Sequence, residues 1–280
     1  MRIKITSDST CDLPKNLVDQ YDIGIFPLTI IKDNKDFTDN ITITPADIFA
    51  HVSNGGDLCS TAAGNINDYA DMFAKYSADY DAVLHISLGS GFSSCYQNAC
   101  LAASEYDNVR VVDSQNLSTG HGLVVLKACQ ISKDYTDLAA LQEAVQALTP
   151  KVEASFVLDQ LKYMVKGGRC SSAAALGANL LNLKPCIEVR DGKMSVVKKY
   201  RGAYSKCLAS YVKDRLDGRD DVDSSIIFLT HTPVDEECLN AAKNAVDTYT
   251  NAETLIDCSA GCTVSCHCGP GTLGVLFLRK

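Results

Sequence analysis

Short apolar runs alternate with helical patterns through the first half of this chain, and that alternation limits the fold more tightly than any other feature. Residues 3–5, 23–31, 82–87 and 109–112 read as strands, separated by helical patterns near 14–20, 45–53, 67–77 and 93–104. Short apolar strands joined through helices predict a parallel sheet covered on both faces. Pro14 and Pro45 suit the first turn of a helix, where the missing N–H has no acceptor to lose. In such a sheet ligands bind beyond the carboxyl ends of the strands, where Asp8, the segment 89–94 and Asp113 all fall.

The texture changes after a helical pattern ending near Pro150. Residues 155–158, 186–189 and 194–200 read as strands, the last two joined by Arg190-Asp191-Gly192-Lys193, an Asp-Gly hairpin signal. Strands at 226–230, 254–258 and 273–278, with a helix over 236–248, complete a second α/β unit containing antiparallel pairs. At 280 residues the chain exceeds the usual size of one compact core. The expected architecture is α/β in two closely packed domains, a parallel-sheet domain over 1–150 and a mixed-sheet domain over 151–280, with a cleft between them.

A formal net charge of −8 argues against a nucleic-acid binder, which would present a basic face to phosphates. The thirteen cysteines are odd in number and spread along the chain, and the start MRIKITSDST has no signal-peptide apolar core. Reduced thiols and a cytoplasmic location are therefore expected. No apolar run approaches the ~18 residues of a membrane span, and neither end carries a lipidation motif.

The segment 89–96, GSGFSSCY, leads from a predicted strand into a predicted helix. The first N–H groups of a helix lack intrahelical acceptors, so a phosphate or carboxylate can dock there, with Ser93 and Ser94 as added hydroxyl donors. Either serine also suits a simple helix cap. Thr61 reads as a loop threonine. Lys166-Gly167-Gly168-Arg169 reads as a helix end, with glycine geometry and a cation that favours the carboxyl terminus. Lys198, Lys199 and Arg201 read as a solvated charge run, Arg201 sharing a face with Lys199 and Val197 by alternation, although an arginine in the cleft would suit an anion. Cys258, Cys262, Cys266, His267 and Cys268 lack the C-x2-C pairs of a zinc site, so no metal is expected. If 264–268 is extended, His267 faces away from Cys266 and Cys268. Gly89-Ser90-Gly91 with Asp113 echoes a dinucleotide fingerprint without its third glycine, and Gly91-Phe92-Ser93 echoes a nucleophile elbow with His267 downstream. A serine hydrolase or esterase using Ser93 and His267 is thus the competing class.

In order along the chain, Ser7-Asp8-Ser9-Thr10, Thr61, Ser93-Ser94-Cys95-Tyr96-Gln97, Val111-Val112-Asp113-Ser114, Lys166-Gly167-Gly168-Arg169, Lys184-Pro185, Arg201 and His267-Cys268-Gly269-Pro270-Gly271 resemble the landmarks of the DegV family of bacterial fatty-acid-binding proteins. The resemblance implies a long-chain fatty acid in a tunnel, its carboxylate at the domain junction. Thr61 and Ser93 would donate to the carboxylate, with Ser94, Arg169, Arg201 and His267 nearby. It implies no cofactor, and a separate ATP-dependent fatty-acid kinase as partner, making acyl-phosphate for phospholipid synthesis; transient membrane contact fits that role. The chain departs from the family pattern at Ala62-Ala63-Gly64-Asn65 and at Ser94-Cys95, where Ser-Gln-Pro-Ser and Gly-Thr are usual.

Overall fold

A computed structural model describes residues 1–176 and 183–280. In the first half the strands are β1 (Ile3–Asp8), β2 (Gly24–Phe26), β3 (Thr29–Lys32), β4 (Lys35–Thr38), β5 (Ser60–Ala62), β6 (Ala82–Ser87) and β7 (Val109–Asp113). The expected parallel sheet forms in the order β2-β1-β6-β7, with every pair parallel. All six residues of β6 are buried, as a strand covered on both faces requires. The segment 23–31, expected as one strand, divides at Pro27. Lacking an N–H, proline cannot continue a ladder, so β2 stays in the parallel sheet while β3 joins a small antiparallel sheet, β4-β3-β5.

The second half supplies β8 (Val152–Val157), β9 (Leu183–Arg190), β10 (Lys193–Arg201), β11 (Val222–His231), β12 (Leu255–Ser259) and β13 (Leu273–Arg279). They form one mixed sheet, β10-β9-β8-β13-β11-β12, parallel only between β11 and β12. The Asp-Gly hairpin joins β9 to β10, with Asp191 at φ 51° and Gly192 at φ 69°. Two successive left-handed residues are what a tight hairpin turn demands.

Between the two sheets lies the helix Ser118–Ile131, which the periodicity did not disclose. It packs on β1 and β6 at one side and on β8, β11 and β13 at the other. Residues 118–126 are all buried, so the helix has no polar face to produce an amphipathic period. Around it one continuous apolar core runs from Ile5 and Ile86 through Leu126 to Phe156, Ile187 and Leu276, joining the two halves. A second core, including Tyr211, Leu229 and Phe277, fills the outer face of the mixed sheet under the helices Tyr204–Leu216 and Glu236–Tyr249. Cys262–Cys268 is helical rather than extended, and places Cys262 and Cys266 in a small cluster with Ile30, Ile48 and Cys59.

The halves also meet where the loop after β6 touches the β9–β10 turn. A Cβ on Gly91 would stand 2.0 Å from the carbonyl oxygen of Gly192. Gly91→Ala is therefore expected to lower the thermal unfolding midpoint by roughly 3–8 °C, the consequence of a ~1–3 kcal/mol overpacking penalty in a chain of this size. Differential scanning calorimetry measures it directly.

Candidate functional site

Two carboxylates fix the loop that follows β6. Asp8, buried at the end of β1, accepts from the Leu88 N–H at 2.7 Å, the Ser87 hydroxyl at 2.9 Å and the Tyr69 hydroxyl at 2.6 Å. Burial raises its pKa, but the His85 ring, with Nε2 3.4 Å from Oδ1, the neighbouring His121 ring and the Tyr69 bond outweigh that and hold it down at about 2. Asp8 is thus an anion at neutral pH. From the other side Asp113 accepts from the Ser90 N–H at 3.0 Å, the Ser90 hydroxyl at 2.5 Å and the Gln115 N–H at 2.9 Å. Asp113 thus serves to hold the loop after β6, a structural role that the dinucleotide reading does not need.

The loop forms one wall of a cavity of about 190 Å³. Its apolar lining includes Leu88, Phe92, Leu117, Met164, Met194 and Val264. Thr61, Ser93, Ser94, Arg169 and His267 supply polar groups, so five of the six residues singled out from sequence line one cavity. A second, apolar cavity of about 30 Å³ shares Leu117, Val264 and Cys268 with the first and reaches Ala154, Phe156 and Leu276 under the mixed sheet.

Thr61 lies on β5 rather than in a loop, and its Oγ1 is 2.9 Å from Nε2 of His267. Burial, and after it the Arg169 charge, push the His267 ring down to about 4, so it is neutral at pH 7. Its Nδ1 is buried without a partner among the described residues. A bare acceptor tolerates that position better than an N–H, which favours the tautomer with the proton on Nε2. In that tautomer His267 donates to Thr61, and the Thr61 hydroxyl hydrogen is available to the cavity.

Ser93 accepts from the Cys95 N–H at 3.3 Å and donates to Cys95 Sγ at 3.1 Å, so it both lines the cavity and caps the helix Cys95–Ala103. Ser94 is exposed and makes no side-chain cap. Arg169 donates through Nε to the Phe92 carbonyl at 3.3 Å and through one terminal nitrogen to the Gly167 carbonyl at 2.6 Å. It therefore closes the helix Lys162–Gly167 and bridges to the loop wall together.

Arg201 is a correction. It does not line the cavity. A bulge at Val197 resets the alternation, since Val196 pairs with Ile187 and Lys198 with Cys186. Arg201 thereby shares a face with Met194 and Val196, not with Val197. Seven residues beyond Met194, it lies roughly 23 Å further along the strand, exposed at its end. Thr10, Leu117, Thr263 and the two methionines line the cavity without having been singled out. Reading 262–268 as helical would have found Thr263, one turn before His267.

The hydrolase geometry is missing. The Ser93 hydroxyl bonds Cys95, His267 Nε2 bonds Thr61, and no acid meets His267 Nδ1. Burial first, and the Asp8 charge next, push the Cys95 thiol up to about 11, which leaves it un-ionised at neutral pH. All thirteen cysteines are unpaired thiols. Among the described residues no group of three His, Cys, Asp or Glu is set to hold a metal ion, and no helix is long and apolar enough to cross a membrane.

A family model described as "Uncharacterised protein, DegV family" matches residues 2–280. The chain belongs to the DegV family. A DegV domain-containing protein of Caldanaerobacter subterraneus is 30% identical over 283 residues, covering 100% of this chain and 99% of the relative. A solved DegV structure from Thermus thermophilus, described by its fatty acid binding, is 26% identical with a TM-score of 0.90, covering 100% of both chains. A second, from Eubacterium ventriosum and described as a stearic acid-binding protein, has a TM-score of 0.82 at 22% identity, covering 99% of this chain and 98% of that one. The DegV fold accounts for the mixed sheet and its parallel partner.

The His267 ring yields a pH test. Its folded pKa lies below the ordinary value of 6.5, so the unfolded chain takes up the proton first and stability falls as pH drops from 6.5 towards 4. A His267→Gln variant lacks this loss. Urea unfolding of both proteins at pH 7 and pH 5 should show the gap moving in favour of the variant by about 1–2 kcal/mol on acidification.

Proposed function

We propose that this protein binds a long-chain fatty acid with its carboxylate at Thr61, Ser93 and His267, and presents it to a separate ATP-dependent fatty-acid kinase. The carrying observation is a single cavity whose lining combines apolar side chains such as Leu88, Phe92, Met164, Met194 and Val264 with the Thr61–His267 pair, Ser93 and the Arg169 cation. The fatty acid binding described for the Thermus relative of the same fold supports the ligand class. In this reading residues 1–150 carry the head-group loops and 151–280 most of the tunnel, and Arg201 takes no part in holding the carboxylate.

The energetics place selectivity at the head group. Burying a chain of about fifteen methylenes is worth on the order of 12 kcal/mol relative to water, but a bilayer gives the chain much the same. Extraction by transient membrane contact therefore depends on the hydrogen bonds to the carboxylate. With His267 neutral and donating to Thr61, the Thr61 hydroxyl points its hydrogen to the anion, and Arg169 offsets its charge. No serine activation is needed for binding, and in this reading the exposed Ser94 marks the side from which a partner's nucleotide would approach the carboxylate.

Native mass spectrometry of the purified protein, followed by organic extraction, should find one fatty acid per chain; a protein that stays at its apo mass after incubation with palmitate and oleate overturns the reading. Thr61→Ala removes a donor to the carboxylate, and Ser93→Ala removes one that turns from Cys95 Sγ to the carboxylate on binding, so a loss of roughly 10- to 100-fold in affinity is expected for Thr61→Ala and a smaller one, roughly 3- to 30-fold, for Ser93→Ala. A fluorophosphonate probe should leave Ser93 unlabelled, and labelling there would restore the hydrolase.

A further inference from the structure

Behind the wall that carries His267 lie two buried carboxylates that the binding reading does not use. Asp39, 2% exposed, accepts from the Cys262 N–H at 3.0 Å through one oxygen, and from the Thr263 hydroxyl at 2.7 Å and the Ser9 hydroxyl at 2.8 Å through the other. Asp12, 7% exposed, accepts from the Gly261 N–H at 3.0 Å and the Ser118 hydroxyl at 2.7 Å. Burial, reinforced by the Asp39 charge, pushes Asp12 up to about 8 despite those bonds, so at neutral pH it is protonated. The two residues come from the first half of the chain, and the amides they hold open the helix Cys262–Cys268 of the second.

We propose that Asp39 is a positioning residue for carboxylate recognition, setting the helix Cys262–Cys268 so that His267 meets Thr61. Thr263 and His267 are four residues apart on one face of that helix, and both line the cavity. Holding Thr263 by its hydroxyl and Cys262 by its amide fixes both the rotation and the depth of the helix. The space around the junction leaves no slack, because a Cβ on Gly261 would stand 2.7 Å from both Asp12 Oδ1 and Asn40 Nδ2. Ser9 extends the clamp, since its oxygen also accepts from the N–H of Leu28, another cavity residue. The clamp thus places cavity side chains of both halves without touching the ligand. The inference rests on the fatty-acid reading above.

The test compares palmitic acid with 1-hexadecanol, which has the same chain without the carboxylate, by native mass spectrometry titration of the full chain. Asp39→Ala removes all three bonds, and Thr263→Val removes one while keeping the side-chain volume, which keeps the test decisive if Asp39→Ala does not fold. Acid affinity is expected to fall at least tenfold in Asp39→Ala and about three- to tenfold in Thr263→Val, with alcohol affinity changing less than threefold in either. Asp39→Asn, which retains an oxygen for the Cys262 N–H, should recover most of the acid affinity. Equal losses for acid and alcohol, or an unchanged acid affinity in both variants, overturn the positioning role while leaving fatty-acid binding in place. A native protein that binds neither ligand overturns the reading and the inference with it.

Discussion

Residues 118–126 of the helix Ser118–Ile131 have no face left for water, and the arrangement of the molecule follows from that. Helical turns buried on all sides need partners on all sides, and here a parallel sheet and a mixed sheet supply them. Each fully buried large apolar side chain contributes about 1.5–3 kcal/mol relative to exposure, so Leu123, Leu126 and the sheet residues facing them tie the halves into one core. Two of its buried polar side chains find partners on the flanking sheets: Thr119 Oγ1 meets Thr230 Oγ1 at 2.5 Å, and His121 Nε2 donates to the Ile86 carbonyl at 3.0 Å. The cavity lies at the margin of this core, and Leu117, just before the helix, lines it.

Around the cavity, buried aspartates organise backbone. Asp8 and Asp113 brace the loop after β6 from the two strands flanking that strand, and Asp12 and Asp39 brace the helix that bears His267. A carboxylate satisfies several N–H and O–H donors at once, and in a low-dielectric interior such bonds are stiff. The polar side chains that line the cavity are by contrast hydroxyls, a neutral imidazole and one arginine. This division engages the buried carboxyl groups with donors of their own and keeps them out of the cavity wall.

Much of the site was legible because chemistry followed local pattern. A small-residue loop between a mainly apolar strand and a helix marked Ser93, and Gly167-Gly168 marked the helix end that delivers Arg169. The Asp-Gly hairpin was readable because two left-handed residues in succession suit few residue types. Arg201 was placed near the head group by the family resemblance; the bulge at Val197 does turn it to the face of Met194, but it stands at the far end of the strand, exposed, as the charge run by itself suggested. Residues 262–268 were weighed as extended because a seven-residue helix buried on nearly every side shows no polar stripe.

Local sequence by itself determined the α/β class, the parallel sheet, the hairpin and the small-residue turns, since each rests on periodicity or on backbone conformations that few residue types adopt. Tertiary structure alone decided that Thr61 and His267, 206 residues apart, share a hydrogen bond, that Asp8 and Asp113 are consumed as loop braces, and that the helix Ser118–Ile131 is the centre of the molecule. The reason is physical: a buried polar group takes its ionisation and its role from the donors and charges around it, and those arrive from segments far away in the chain.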